Sequence, residues 1–132
     1  MICLDTSAII DILMNKPRIV DFLNAHKDKV LCTTRINLFE VLVGIFLRKG
    51  PDKQKVAEAI RGIMGKIKIA ELHEIGSIKA AEIKTNLIKE GREIETTDCL
   101  IAGIMISEGI KKILTSDNAH FERIKEIEIV AY

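Results

Sequence analysis

Residues 1–10 read MICLDTSAII, a short apolar run broken at once by a carboxylate, Asp5. Ile2, Cys3 and Leu4 are apolar on both sides of any pleat, the pattern of a strand buried between two layers of a parallel sheet. A segment of helical period begins near Ser7, so Asp5 stands where a strand hands over to a helix. Working outward, the same alternation repeats. Further strands are expected at 30–33, 112–115 and 128–130, with a weaker fifth in KIKIAEL, 66–72. Helices are expected to begin near Pro17, Thr34, Asp52, Glu74 and Thr96, with a short one near Ala119. Pro17 suits a first helical position, and the pairs Thr33-Thr34 and Thr96-Thr97 offer capping hydroxyls. Lys49-Gly50-Pro51-Asp52 and Glu90-Gly91 are the clearest stops. Short strands alternating with helices predict an α/β fold with a parallel sheet of four to five strands and a helical hairpin, 34–66, inserted between strands.

A chain of 132 residues with 48% hydrophobic and 30% charged side chains has the size and composition of one soluble globular domain. Its three cysteines are odd in number and set in apolar surroundings, which argues against a disulfide framework or a zinc knuckle and for buried thiols in a reducing cytoplasm. Asp5 and Asp11 interrupt the N-terminal apolar stretch, so it does not read as a targeting signal. NLFEVLVGIFL, 37–47, is too short to span a bilayer and carries Glu40, so no membrane association is expected. A net charge of +1 announces no nucleic-acid partner by itself. Basic residues outnumber acidic ones between Arg48 and Arg92, a pattern that fits a solvated helix surface at least as well as a phosphate-tracking face.

The chemistry is expected in four carboxylates. Ligands of open α/β sheets bind beyond the carboxyl ends of the strands. Asp5 ends the first strand, and Asp117 ends KKILTSD, 111–117. Asp98 lies in the first turn of the helix that continues as CLIAGIMI. Glu40 sits on a helix, TTRINLFEVLVGIFLRK, whose one polar stripe comprises Thr33, Asn37, Glu40, Gly44 and Arg48. Each acid has a plain alternative. Asp5 could cap the helix at Ser7, Asp98 could be an ordinary first-turn acid, Asp117 could start a turn, and Glu40 could pair with Arg48 or another base. Taken together the alternatives strain. Two unit charges about 4 Å apart repel by roughly 4 kcal/mol at an effective dielectric near 20, so a shared crevice demands protons or a cation. Hard divalent ions such as Mg²⁺ or Mn²⁺, with their preference for oxygen, answer that demand and point to phosphate chemistry. The histidines are scattered, and there is no glycine-rich phosphate loop.

LDTSAIID, NLFEVLVGI, TTDCLIAGIMI and ILTSDNAHFERI, in that order and spacing, resemble the PIN-domain ribonucleases, and within them the VapC-type toxins. The resemblance runs over the whole chain. It implies a three-layer α/β/α fold with the acidic quartet on Asp5, Glu40, Asp98 and Asp117, holding one or two Mg²⁺ or Mn²⁺ ions. Asp5 and Asp98 are the implied principal ligands, with Thr6, Ser7 and Thr115 orienting carboxylates or water. It also implies RNA as substrate, a homodimer, and silencing by a VapB-type antitoxin in the cytoplasm. Many relatives carry another acid just before the phenylalanine of the last motif, where this chain has His120. The alternatives within the resemblance are a nuclease of RNA maturation and a non-cleaving RNA- or protein-binding module.

Overall fold

The computed structural model describes residues 1–49 and 52–132. Strands β1 (Ile2–Leu4), β2 (Leu31–Thr34), β3 (Lys68–Ala70), β4 (Lys112–Leu114) and β5 (Glu128–Val130) are all parallel and stand in the order β3-β2-β1-β4-β5. β1 is therefore central, with Cys3 paired to Cys32 on one side and to Ile113 on the other. The weak fifth strand is real but short, and β2 begins one residue later than its composition suggests.

Side chains alternate across the pleat, so each central strand feeds two cores. Cys3, Cys32 and Ile113 pack on one face beneath α5 (Glu74–Lys89) and α6 (Thr96–Ser107), together with Leu87, Ile101 and Met105. Ile2, Leu4 and Leu114 pack on the other beneath α1 (Thr6–Leu13), α2 (Pro17–Ala25), α3 (Arg35–Leu47) and α4 (Asp52–Met64), through Ala8, Ile19, Val41 and Ile60. The result is three layers. Ile101, Ile104 and Met105 are completely buried, each contributing roughly 1.5–3 kcal/mol relative to exposure. Helix α6 comes unusually near α5 at Gly103, where an added Cβ would lie 2.3 Å from the Gly76 carbonyl oxygen and 2.7 Å from the Ala80 nitrogen. The inserted hairpin is α3 and α4, between β2 and β3.

Three local expectations need correction. Thr34, not Thr33, caps α3, through a capping box with Asn37, while the Thr33 hydroxyl donates to the Leu4 carbonyl at 2.8 Å inside the sheet. Glu95 occupies the cap of α6 without a side-chain bond, so Thr96 and Thr97 lie inside the helix and cap nothing. The short helix expected near Ala119 is a single 3₁₀ turn, Phe121–Arg123. Of the expected stops, Gly50 and Pro51 lie outside the described residues, whereas Gly91 ends α5 in the left-handed region with φ +68°. All three cysteines are free and buried. Among the described residues no helix is long and apolar enough to cross a membrane.

Candidate active site

Because β1 and β4 are neighbours, the chain leaves both strands at the same edge, and the Asp5 amide donates to the Leu114 carbonyl at 3.0 Å. Asp5 occupies the cap position of α1, yet its carboxylate makes no capping bond. It is instead encircled by donors from α3, from the segment after β4 and from Ser7 of α1. Asn37 Nδ2 donates to Oδ1 at 3.0 Å, Thr115 Oγ1 to Oδ2 at 2.8 Å and Ser7 Oγ to Oδ2 at 3.3 Å. Asp5 is only 7% exposed, and burial pushes its carboxyl above the usual range. The Thr115 hydroxyl bond and the Thr6 amide oppose that rise, and the nearby Glu40 charge adds to it.

Glu40 follows Asn37 by nearly one helical turn and accepts a hydrogen bond from Thr6 Oγ1. Thr6 Oγ1 in turn accepts from Asn37 Nδ2 at 3.1 Å. The polar stripe of α3 is thus divided. Asn37 and Glu40 turn to the carboxylates, whereas Gly44 and Arg48 line an apolar groove with Ile10, Leu13 and Met14, and Thr33 belongs to the strand. Among the described residues no base pairs with Glu40, so Arg48 does not neutralise it.

Asp98 projects from the first turn of α6, and its Oδ2 lies 2.5 Å from His120 Nδ1. Burial raises its proton affinity, the His120 hydrogen bond and charge lower it, and the charges of Asp5 and Glu40 raise it again. The Glu40 charge thus opposes the ionisation of both Asp5 and Asp98, and the Asp5 charge that of Asp98. Asp117 stands differently. Its amide donates to Thr115 Oγ1 at 3.0 Å, which ties the backbone to Asp5, but its carboxylate is exposed and accepts from the Ala119 amide at 3.3 Å. The turn-forming alternative describes this side chain as it stands.

The donor set consists of carboxylate and hydroxyl oxygens, which suit a hard divalent cation. The raised proton affinities of Asp5 and Asp98 come chiefly from burial, and the charges of neighbouring carboxylates add to them. Among the described residues no three acidic, histidine or cysteine side chains form a ready-made cage for an ion. Glu40 is engaged by Thr6, Asp98 by His120 and Asp117 by its own turn.

Two residues singled out in the sequence take parts that it did not assign them. Asn37 is fully buried and links Asp5, Thr6 and the α3 cap, with its Oδ1 accepting from Thr34 Oγ1 at 2.6 Å. The spacing Thr34-x-x-Asn37 at a helix start was the available signal. For His120 the signal was its place just before Phe121 in the last motif, although its pairing with Asp98 joins two different elements.

The PIN domain family model matches residues 2–127. The chain is 27% identical over 122 residues to a tRNA(fMet)-specific endonuclease VapC of Shigella flexneri, covering 92% of this chain and 89% of that one. A second relative with the same description, from Salmonella typhimurium, is 26% identical over 127 residues, covering 96% of this chain and 93% of that one. Among solved structures, VapBC2 from Rickettsia felis bound to a DNA fragment from its promoter superposes with a TM-score of 0.87 at 21% identity, covering 100% of this chain and 99% of that one. DNA-bound VapBC from Salmonella typhimurium gives a TM-score of 0.83 at 24% identity, covering 98% and 96%. With three layers, a five-stranded parallel sheet, acids gathered at its carboxyl edge and a family match over nearly its full length, the chain belongs to the PIN-domain family.

Proposed function

We propose that this protein is a VapC-type endoribonuclease that hydrolyses RNA phosphodiester bonds with Mg²⁺ or Mn²⁺. The observation that carries the reading is the gathering of Asp5, Glu40 and Asp98 at the carboxyl edge of the sheet, with Asn37 and Thr6 joining the first two and the Glu40 charge adding to the burial that raises the carboxyls of Asp5 and Asp98. Asp5 and Asp98 are the principal ligands in this reading, with Glu40 and Asp117 completing the set. The bound ion supplies charge neutralisation at the scissile phosphate and makes a water acidic enough to attack near neutral pH.

The chain's own groups do the rest. Asn37, Thr115 and Ser7 fix both oxygens of Asp5, so that it does not reorganise during the reaction. Thr6 aims Glu40 in the same manner. In this reading Asp117, exposed and attached through Thr115, leaves its own turn to complete the set.

A VapB-type antitoxin as partner is supported by the apolar groove of about 420 Å³ between α1 and α3, and by the exposed Phe46 and Leu47 at the end of α3. A homodimer is supported by a second exposed apolar set, Leu72, Ile75 and Ile78, at and before the start of α5. The test is cleavage of a pool of cellular RNAs by purified protein. The reading expects cleavage with Mg²⁺ or Mn²⁺, arrest by chelator, and loss in Asp98→Asn. Full activity in chelator, or in Asp98→Asn, overturns it.

A further inference from the structure

On the Ser7 side of the carboxylates lies a cavity of about 350 Å³, lined by Asp11, Lys16, Pro17, Arg18, Ser116 and Tyr132. It is joined directly to the site. The Ser116 amide donates to Ser7 Oγ at 3.1 Å, and Ser7 Oγ donates onward to Asp5 Oδ2 at 3.3 Å. Its one acid is already satisfied, because Asp11 Oδ1 pairs with Lys16 at 2.7 Å and Oδ2 accepts the Tyr132 hydroxyl at 2.9 Å. Lys16 retains further donors, half-exposed to solvent. Arg18 is exposed and, among the described residues, has no carboxylate within ion-pair distance. The cavity thus carries a net positive charge.

The opposite flank of the site is the reverse. There a cleft of about 470 Å³ is lined by Lys84, Glu93, Glu95, Thr96 and His120. Lys84 is taken by Glu93 at 2.8 Å and by the Ile94 carbonyl at 2.7 Å, which leaves Glu95 facing solvent uncompensated. A polyanion crossing the carboxylates meets repulsion on the Glu95 side and cations on the Arg18 side.

Resting on the endoribonuclease reading above, we propose that the Lys16–Arg18 cavity holds the backbone phosphate next to the scissile one, so that the RNA strand leaves the carboxylates past Ser7 and Ser116. Arg18 is the principal cation, because its planar fork can engage two phosphate oxygens at once. Lys16, paired with Asp11, which the Tyr132 hydroxyl holds in turn, presents a point charge beside it.

The experiment measures equilibrium binding of a short single-stranded RNA by the full chain carrying Asp98→Asn, with Mg²⁺ present, over a range of salt concentrations. Adding Arg18→Ala is expected to weaken binding about tenfold and to reduce the slope of log affinity against log salt by about 0.7, as for one lost phosphate contact on a single strand. Arg18→Lys is expected to restore the slope but not all of the affinity. Lys125→Ala, at an exposed lysine just before β5, is expected to change neither. Unchanged affinity and slope in Arg18→Ala overturns the proposal, as does an equal loss in Lys125→Ala. Because Arg18 is exposed, an unaltered melting temperature separates lost binding from lost fold. A parent protein that cleaves RNA while Arg18→Ala binds like its own background removes the cavity alone. A parent that neither cleaves nor binds RNA removes the endoribonuclease reading with it.

Discussion

His120 Nδ1 stands 2.5 Å from Asp98 Oδ2, so the acid of α6 already has a partner supplied from the far side of β4. Burial raises the Asp98 proton affinity, and His120 restrains that rise. If catalysis needs Asp98 ionised, removing the imidazole leaves burial and the charges of Asp5 and Glu40 unopposed. The acid limb of the pH–rate profile should then move to higher pH in His120→Ala, with activity at alkaline pH little altered. Initial rates from pH 5 to 9 check this. An acid limb that stays in place means that His120 does not govern Asp98.

Asn37 makes a different prediction because it touches three groups at once. Its amide fixes Asp5 Oδ1 and Thr6 Oγ1 while its carbonyl completes the α3 cap. Asn37→Ala leaves buried polar atoms without partners, at a cost of about 1–3 kcal/mol. A thermal melt should show it. The looser Asp5 should also lower kcat or divalent-ion affinity by about 10- to 100-fold, as for other residues that orient a ligating carboxylate. A lower melting temperature with unchanged kcat would confine Asn37 to a structural part.

How much of this could be read in advance depended on the range of the interaction. Strand and helix order along the chain followed from apolar runs and periods within single segments, whereas the central place of β1 emerges only from the sheet order. Asp5, Glu40 and Asp98 stood out because carboxylates are costly in such company. The cap of α6 was misplaced because Thr96 and Thr97 look like better caps than Glu95, whereas the chain turns one residue earlier. The ring of donors around Asp5 draws on residues 7, 37 and 115, and the His120 pairing spans 22 residues. Apart from the Ser7 bond, such contacts are set by the tertiary fold, including the sheet order β2-β1-β4, and not by any local pattern. Asp117 shows the converse, since its local tendency to start a turn decides where its carboxylate rests.

Asp5 also predicts a trade between stability and activity. Its carboxyl is raised in the folded state, chiefly by burial, so the fold binds that proton more tightly than the unfolded chain does. Stability from this group is present below the unfolded value near 3.8 and is lost as pH rises through the folded one. At pH 7.5, without divalent ions, the protein therefore bears the cost of an ionised buried acid. Asp5→Asn keeps the shape and removes the charge. Its melting temperature should exceed the parent's at pH 7.5 by more than at pH 4, while cleavage is abolished. A difference that is negative, or constant with pH, refutes this account.

Gly103 and Gly44 are of opposite character. At Gly103 a methyl group would meet the Gly76 carbonyl oxygen at 2.3 Å and the Ala80 Cβ at 2.8 Å, so α5 and α6 would have to move apart. Overpacking of this kind costs about 1–3 kcal/mol, and Gly103→Ala should melt lower by several degrees. At Gly44, inside α3, a built Cβ meets nothing within 4 Å. Gly44→Ala should therefore gain about 0.5–1 kcal/mol by restricting the unfolded chain and favouring helix. Melting curves of the two variants should shift in opposite directions. A Gly103→Ala protein as stable as the parent would mean that the α5–α6 approach is looser than its backbone spacing indicates.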